Sequence, residues 1–174
     1  MTRVTSIRSA GFTLVELIIA IILIGILSAI VMTRINAKAQ HSVTTQADQL
    51  RRNLSHIQLL AISQGARLKL AVAAGNYSVC PALTVDAECP GNNATNAIGD
   101  PATGEKFSVN LTDGVVFTQP PGYYHFDSLG RPVSGATGAT LVLGTSTFRL
   151  NGVDRNTPVI VTVLPITGFA QTSY

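Results

Sequence analysis

The sequence has no tryptophan, only two cysteines and few charged residues. Two cysteines exclude a small scaffold that is held together by several disulfides. Charged residues make up 12% of the chain, and outside the first eleven residues ten basic side chains stand against nine acidic ones. Because nucleic-acid binding requires a concentrated basic face, this balance argues against nucleic acid as a partner.

The motifs of several enzyme classes are also missing. No Gly-x-Ser-x-Gly, no His-Glu-x-x-His and no phosphate-binding loop occurs. The histidines His41, His56 and His125 have no partners at a recognisable spacing. We therefore predict that the chain is not an enzyme. An exported enzyme, released by cleavage after Ala39, is the least favoured alternative because it requires a catalytic site.

A long apolar run, from Phe12 to Met32, contains Glu16 as its only charged residue. About 20 apolar residues cross a membrane as a helix, so the run predicts a transmembrane helix over residues 12–33. A charged side chain at the membrane centre costs about 2.5–3.5 kcal/mol. A chain that keeps Glu16 in such a run is expected to use it.

Three interpretations of this run compete. A secretory signal peptide would end near Ala37-Lys38-Ala39, but the run is longer than the apolar core of such peptides. A plain membrane anchor leaves Glu16 without a role. A hydrophilic leader, residues 1–11, cut after Gly11, would make Phe12 the mature N-terminus and keep the apolar helix on the protein.

The third interpretation agrees with a family resemblance. The stretch Gly11-Phe12-Thr13-Leu14-Val15-Glu16 resembles the signature of type IV pilins and type II secretion pseudopilins. The resemblance implies that prepilin peptidase cuts after Gly11 and methylates the new N-terminal Phe12, and that Glu16 is the assembly residue. It also implies two kinds of partner besides the peptidase: other pilin or pseudopilin subunits, bound through the N-terminal helix, and an inner-membrane assembly platform.

Physical chemistry is consistent with the implied role of Glu16. A carboxylate in an apolar environment is costly when unpaired and tolerated when paired with a cation. The amine of Phe12 on a neighbouring subunit would be such a cation. Because this contact is head-to-tail, it would build an open filament. The alternative is a carboxylate that snorkels to the membrane edge.

The helical pattern continues beyond the apolar run. Apolar residues recur at steps of three and four and form one stripe: Ala39, Val43, Ala47, Leu50, Leu54, Ile57 and Ala61. Gly65 is the predicted stop signal. We predict one helix over residues 12–64, about 80 Å long. Its amphipathic half, residues 34–64, is expected to pack on a globular head.

The head, residues 65–174, has the alternation and turn signals of six or seven short antiparallel strands. Asp113-Gly114 predicts a hairpin turn. The predicted fold class is α+β and pilin-like, with one long N-terminal helix on a β-rich head. Residues 126–132 and 161–168 resemble H-type minor pseudopilins and minor type IV pilins, which implies a minor subunit. A tip module that recognises a surface, DNA or an exported protein is the alternative.

The two cysteines, Cys80 and Cys89, lie in one loop as either a disulfide or two free thiols. A disulfide would add about 2.5–3 kcal/mol of stability. It would also place the head in an oxidising compartment. We then expect a single-pass protein of the bacterial inner membrane, with a cytoplasmic N-terminus and a periplasmic head, which later joins an envelope filament. Type II secretion, type IV pili, haemagglutinin-type pili and competence machines share this kind of helix.

The loop over residues 86–105 is rich in oxygen donors: Asp86, Glu88, Asn92, Asn93, Asn96, Asp100 and Glu105. Such a loop could hold calcium, but it lacks EF-hand spacing, and loops of this composition are ordinarily solvated turns. We therefore predict no metal and no cofactor.

Overall fold

A computed structural model of the chain describes residues 13–82, 97–118, 122–134, 140–152 and 157–174, apart from the side chains of residues 29–40. The chain divides into two compact units, Met1–Ala37 and Lys38–Tyr174. The elements are α1 (Leu14–Gln64), β1 (Leu68–Val72), β2 (Asn76–Pro81), β3 (Ser108–Asn110), β4 (Val116–Phe117), β5 (Gly122–Phe126), β6 (Pro132–Ser134), β7 (Thr140–Leu141), β8 (Ser146–Asn151), β9 (Val159–Val163) and β10 (Ala170–Ser173).

The long helix, α1, ends where the sequence predicts. Gly65 has a φ of 60°, in the left-handed region that glycine adopts without strain. The N–H of Gly65 donates to the carbonyl of Ile62, and the N–H of Ala66 donates to the carbonyl of Ala61. These two bonds form a Schellman motif, which satisfies carbonyls at the helix end. The stop at Gly65 is confirmed.

The predicted apolar stripe is the part of α1 that enters the core of the second unit. Its described members are fully buried: Val43, Ala47, Leu50, Leu54, Ile57 and Ala61. They join one hydrophobic cluster with side chains from both sheets. Burial of the stripe is the main reason why this half of α1 is stable, since isolated helices gain little from propensity alone.

The strands form two antiparallel sheets in the second unit. The first has the order β3-β2-β1-β5-β6-β7 and the second the order β10-β9-β8-β4. Tyr124 of the first sheet packs edge-on against Phe148 of the second, with ring centroids 5.5 Å apart. Tyr77 and Phe117 make a similar contact between the sheets. The α+β class, a helix on antiparallel sheets, is confirmed.

The turn at Asp113-Gly114 does not form the predicted hairpin. Both residues have positive φ, 53° and 70°, as this dipeptide favours. The flanking strands, however, belong to different sheets, because β3 pairs with β2 and β4 pairs with β8. The turn therefore carries the chain from one sheet to the other. Asp113 Oδ2 accepts a hydrogen bond from the Ser42 hydroxyl of α1 at 2.9 Å.

The described residues contain ten strands, more than the six or seven predicted. The sequence pattern does not indicate β6 or β10, which are short and lack a clear apolar alternation. Strand β1 differs in another way, because it is buried on both faces although its sequence alternates. Its Lys69 is only 1% exposed, and the ammonium lies 4.8 Å from the ring centroid of Tyr123. This contact offsets part of the cost of burying the charge.

Candidate assembly site

The N-terminus of α1 is capped by Thr13. The Thr13 hydroxyl accepts a hydrogen bond from the N–H of Glu16 at 3.2 Å. Its carbonyl accepts the first helical bond, from the N–H of Leu17. Threonine is a favoured cap because its side chain satisfies one of the free N–H groups of the first turn. The cap explains why the helix begins at Leu14.

Glu16 lies in the first turn of α1, and its side chain is exposed. A carboxylate at this position interacts favourably with the positive end of the helix dipole, by about 0.3–1 kcal/mol. Glu16 thus places a negative charge at the start of the apolar part of α1, where the helix dipole is positive. Gly11 and Phe12, the predicted cleavage and methylation residues, lie outside the described residues.

The N-terminal part of α1 exposes a nearly unbroken apolar surface. Its large side chains are between 48% and 74% exposed: Leu14, Val15, Leu17, Ile18, Ile19, Ile21, Ile22, Leu23, Ile24, Ile26 and Leu27. Monomeric soluble proteins rarely expose apolar patches of this extent, so the surface indicates contact with other proteins or with lipid. In the part of the chain that the structure describes, no helix combines the length and hydropathy needed to span a membrane.

A second group of polar contacts orders the turn between β5 and β6. Asp127 Oδ1 accepts hydrogen bonds from the N–H groups of Leu129 and Arg131, at 2.9 and 2.8 Å. Asp127 Oδ2 accepts from the Arg131 guanidinium through Nε and Nη2, both at 2.8 Å. Partial burial raises the pKa of Asp127, but the hydrogen bonds from Arg131 and Leu129 outweigh it, so the pKa lies below the ordinary 3.8.

The lowered pKa of Asp127 predicts a loss of stability in acid. Because the folded pKa lies below the unfolded value, the carboxylate stabilises the fold above about pH 4, and this contribution is lost as pH falls through the folded pKa. We expect the free energy of unfolding to fall less steeply with acid in the Asp127→Asn variant than in the parent. Urea denaturation at several pH values measures both slopes, and parallel slopes would contradict the prediction.

One side chain of α1, Gln58, joins both sheets. Its Nε2 donates to the carbonyl of Gly130 at 2.7 Å and to the carbonyl of Thr167 at 2.6 Å. Gly130 lies in the turn before β6, and Thr167 lies in the turn between β9 and β10. The two segments that resemble minor pilins, residues 126–132 and 161–168, therefore meet at this amide. We call Gln58, Gly130, Thr167 and Gly168 the Gln58 node.

Two positions of the node favour glycine. A Cβ on Gly130 would lie 2.7 Å from Cδ1 of Ile62, and a Cβ on Gly168 would lie 2.7 Å from Nε2 of Gln58 and 3.0 Å from the carbonyl oxygen of Gly130. Both glycines also have positive φ, 75° and 69°. The backbone conformation favours glycine at both positions, and at Gly168 the close approach of the Gly130 carbonyl oxygen adds to this preference.

Removing the Gln58 amide is expected to loosen both turns. In the Gln58→Met variant two carbonyls lose their donor while the volume of the side chain is kept. We expect the free energy of unfolding to fall by about 1–3 kcal/mol. Gln64→Met, at an exposed position in the last turn of α1, is the matched control. Equal stability of the two variants in urea denaturation would contradict a bridging role for Gln58.

The C-terminal residues are held to α1 by a contact that the sequence does not signal. Asp48 accepts hydrogen bonds from the Thr172 hydroxyl at 3.1 Å and from the Tyr174 hydroxyl at 2.8 Å. The bond from Tyr174 lowers the pKa of Asp48 most; partial burial opposes it, whereas Thr172, Arg51 and Arg52 add to the lowering. The edge strand β10 is thereby fastened at its end.

The predicted disulfide is only partly within the described residues. Cys80 lies in β2, is 1% exposed and is not a free thiol. Cys89 lies outside the described residues, so the pairing of Cys80 with Cys89 stays a prediction.

The described part of the oxygen-rich loop begins at residue 97. There the Asp100 carboxylate accepts hydrogen bonds from the N–H of Ala102 and the hydroxyl of Thr103. It also lies 3.9 Å from Nε2 of His56. Among the described residues, no group of three or more His, Cys, Asp and Glu side chains is placed to hold a metal ion.

Comparison with known families and structures gives one match in sequence and two in structure. Residues 7–32 match the family described as the prokaryotic N-terminal methylation motif, which confirms the resemblance drawn from Gly11 to Glu16. No curated protein sequence matches the chain.

The two structural matches are crystal structures of the type IV minor pilin FimU from Pseudomonas aeruginosa PAO1, in space groups P21 and P65. The first is 12% identical, with a TM-score of 0.49 over 78% of this chain and 90% of that chain. The second is 13% identical, with a TM-score of 0.47 over 75% and 92%. Scores of this size at such low identity describe a distant likeness, which assigns no function.

Proposed function

We propose that the chain is a minor subunit of an envelope filament, a type IV pilus or a type II secretion pseudopilus, because its N-terminal segment matches the prokaryotic N-terminal methylation motif. In this proposal prepilin peptidase cuts after Gly11 and the new N-terminal Phe12 is methylated. Glu16 then guides assembly. The observation that carries the proposal is the family match over residues 7–32, which includes all three residues.

The position of Glu16 supports its role as an assembly contact. The carboxylate is exposed in the first turn of α1 and is surrounded along the chain by exposed apolar residues. When neighbouring subunits cover that apolar surface, an unpaired carboxylate would be strongly destabilising. Pairing with the Phe12 amine of the next subunit removes this cost and sets the axial register. The contact is heterologous, so subunits can be added without closure.

The proposed location follows from the same segment. We place the N-terminal helix in the bacterial inner membrane before assembly, with its first residues in the cytoplasm and the head in the periplasm. The exposed apolar residues from Leu14 to Leu27 support contact with lipid, and the apolar run continues in the sequence to Met32. The proposed disulfide between Cys80 and Cys89 would agree with an oxidising compartment for the head.

A minor rather than a major role is supported by the head. Residues 126–132 and 161–168 carry the resemblance to minor subunits, and both segments bind Gln58 through their backbone carbonyls. The proposed partners are other subunits of the filament, prepilin peptidase and an assembly platform in the inner membrane. The role is structural, and we propose no enzymatic activity.

The mass of the mature chain tests the proposal. We expect protein purified from its native membrane to begin at Phe12 and to carry one added methyl group. Its mass without reductant should be lower by the two hydrogens that a disulfide lacks. Intact-mass spectrometry with fragmentation of the N-terminus measures both. A chain that begins at Gln40 would instead identify a conventionally exported protein, and the filament proposal would fail.

A further inference from the structure

Exposed apolar side chains lie beside the residues of the Gln58 node along the chain. These side chains, which we call the node patch, are between 48% and 65% exposed: Leu59, Ile62, Leu129, Ile166 and Phe169. Leu59 and Ile62 are three residues apart on α1 and therefore share a face of the helix. Leu129 precedes Gly130, and Ile166 and Phe169 flank Thr167 and Gly168. All belong to the unit Lys38–Tyr174.

The backbone that presents the node patch is specialised. Ile166 has a φ of 66°, a conformation that is a genuine outlier for a β-branched residue. Such strain persists only where the surrounding structure enforces it, and it is concentrated at functional positions. Here the surrounding hydrogen bonds do so, because the N–H of Gly168 donates to the carbonyl of Leu164 and the N–H of Leu164 donates to the carbonyl of Phe169. The turn therefore holds an isoleucine and a phenylalanine out towards solvent.

The node patch is uncharged. The charged groups in the turn after β5, Asp127 and Arg131, bind each other at 2.8 Å. None of the five side chains of the patch can form a hydrogen bond. A partner that covers the patch must therefore offer an apolar, uncharged surface of its own, since a polar group opposite it would lose its bonds to water.

The area of the node patch limits the kind of partner. Five large apolar side chains that are half exposed offer about 100 Å² each, on the order of 500 Å² in all. A stable complex between free proteins buries about 800 Å² on each partner. The patch is too small to hold a free partner by itself. It suffices for a partner that a second contact already keeps nearby, because binding is then effectively intramolecular and costs less entropy.

We propose that the node patch docks the globular head of a neighbouring pilin-type subunit that is held in the same filament by its N-terminal helix. This inference rests on the proposed function, which supplies the second contact. It adds a second assembly surface, on the head, to the one at Glu16. The subunit in this proposal has another head packed against the end of α1, so it does not form the outermost tip of the filament.

Site-specific photocrosslinking of the full chain in its native cells tests the proposal. The photoreactive residue p-benzoylphenylalanine replaces Phe169 in one variant and Leu143 in a second. Leu143 is the matched control because it is apolar, 79% exposed and outside the patch. A third variant carries it at Ile19 in the N-terminal helix. Mass spectrometry of each crosslinked product identifies the partner by its own sequence.

The expected result is a product at position 169 with a protein that carries an N-terminal methylation motif, and none at position 143. A product of that kind at position 19 but not at 169 would overturn the node-patch proposal and leave the proposed function intact. No product at either 19 or 169 would count against both. A product at 169 with lipid, with a protein that lacks the motif, or in equal yield with 143 would overturn the docking proposal.

A second variant separates docking from folding. The photoreactive residue is placed at Leu129, and Phe169→Ser is introduced in the same chain. Because Phe169 is 57% exposed, its replacement leaves the core intact. We expect the crosslinked product at position 129 to fall about tenfold, as for the loss of a central interface residue. Unchanged yield would show that Phe169 is not part of the contact.

Discussion

Replacing Glu16 with glutamine is expected to abolish assembly of the chain into filaments while leaving leader cleavage intact. The change removes one charge and keeps the shape of the side chain. In the proposed filament the amine of Phe12 on the neighbouring subunit then has no counter-ion in an apolar environment. Breaking a buried ion pair by removing one partner costs about 3–5 kcal/mol. That is a hundredfold or more in the affinity of each contact.

The Glu16→Asp variant is the matched control. It keeps the charge on a side chain that is shorter by one methylene group, so we expect partial assembly. Sheared filaments are separated from membranes by centrifugation, and the mature chain is measured in each fraction by mass spectrometry. Assembly of Glu16→Gln at the parent level, with cleavage after Gly11 preserved, would contradict the pairing of Glu16 with the Phe12 amine.

The features that could be predicted from the sequence are those that local patterns encode. The apolar stripe from Val43 to Ala61 follows from helical periodicity alone, and every described member is buried. The helix end follows from Gly65, because a left-handed residue is needed to close the last turn. The methylation motif over residues 7–32 is likewise a local pattern, and the roles of Gly11, Phe12 and Glu16 within it stay predictions. None of these inferences requires knowledge of distant contacts.

The features that could not be predicted depend on residues far apart in the sequence. Asp113-Gly114 encodes a turn, but it does not encode whether the flanking strands β3 and β4 pair with each other. They pair instead with β2 and β8, which belong to different sheets. Gln58 is one of several polar residues on α1, and nothing near it in the chain marks its bonds to Gly130 and Thr167. Strand β10 has little apolar pattern of its own. It is held in place by pairing with β9 and by the hydrogen bonds of Thr172 and Tyr174 to Asp48.

Replacing Gly168 with alanine is expected to destabilise the head by about 2–5 kcal/mol. The φ of 69° costs a non-glycine residue about 1–2 kcal/mol. The added Cβ would also lie 3.0 Å from the carbonyl oxygen of Gly130 and 3.0 Å from Cε1 of Phe126. Phe126 is fully buried, so it cannot move aside. Overpacking of this kind costs a further 1–3 kcal/mol, roughly.

The Cβ that Gly168→Ala adds has a third close neighbour, Nε2 of Gln58 at 2.7 Å, which increases the loss of stability. Gln58 can retreat only by giving up its bonds to Gly130 and Thr167, so Gly168→Ala and Gln58→Met should be less than additive. Gly144→Ala is the control, since Gly144 has no positive φ and no atom within 4 Å of an added Cβ. Urea denaturation of the full chain in detergent measures these three single variants and the double variant Gly168→Ala/Gln58→Met. If Gly168→Ala were as stable as Gly144→Ala, the close packing of the two turns on Gln58 would be wrong.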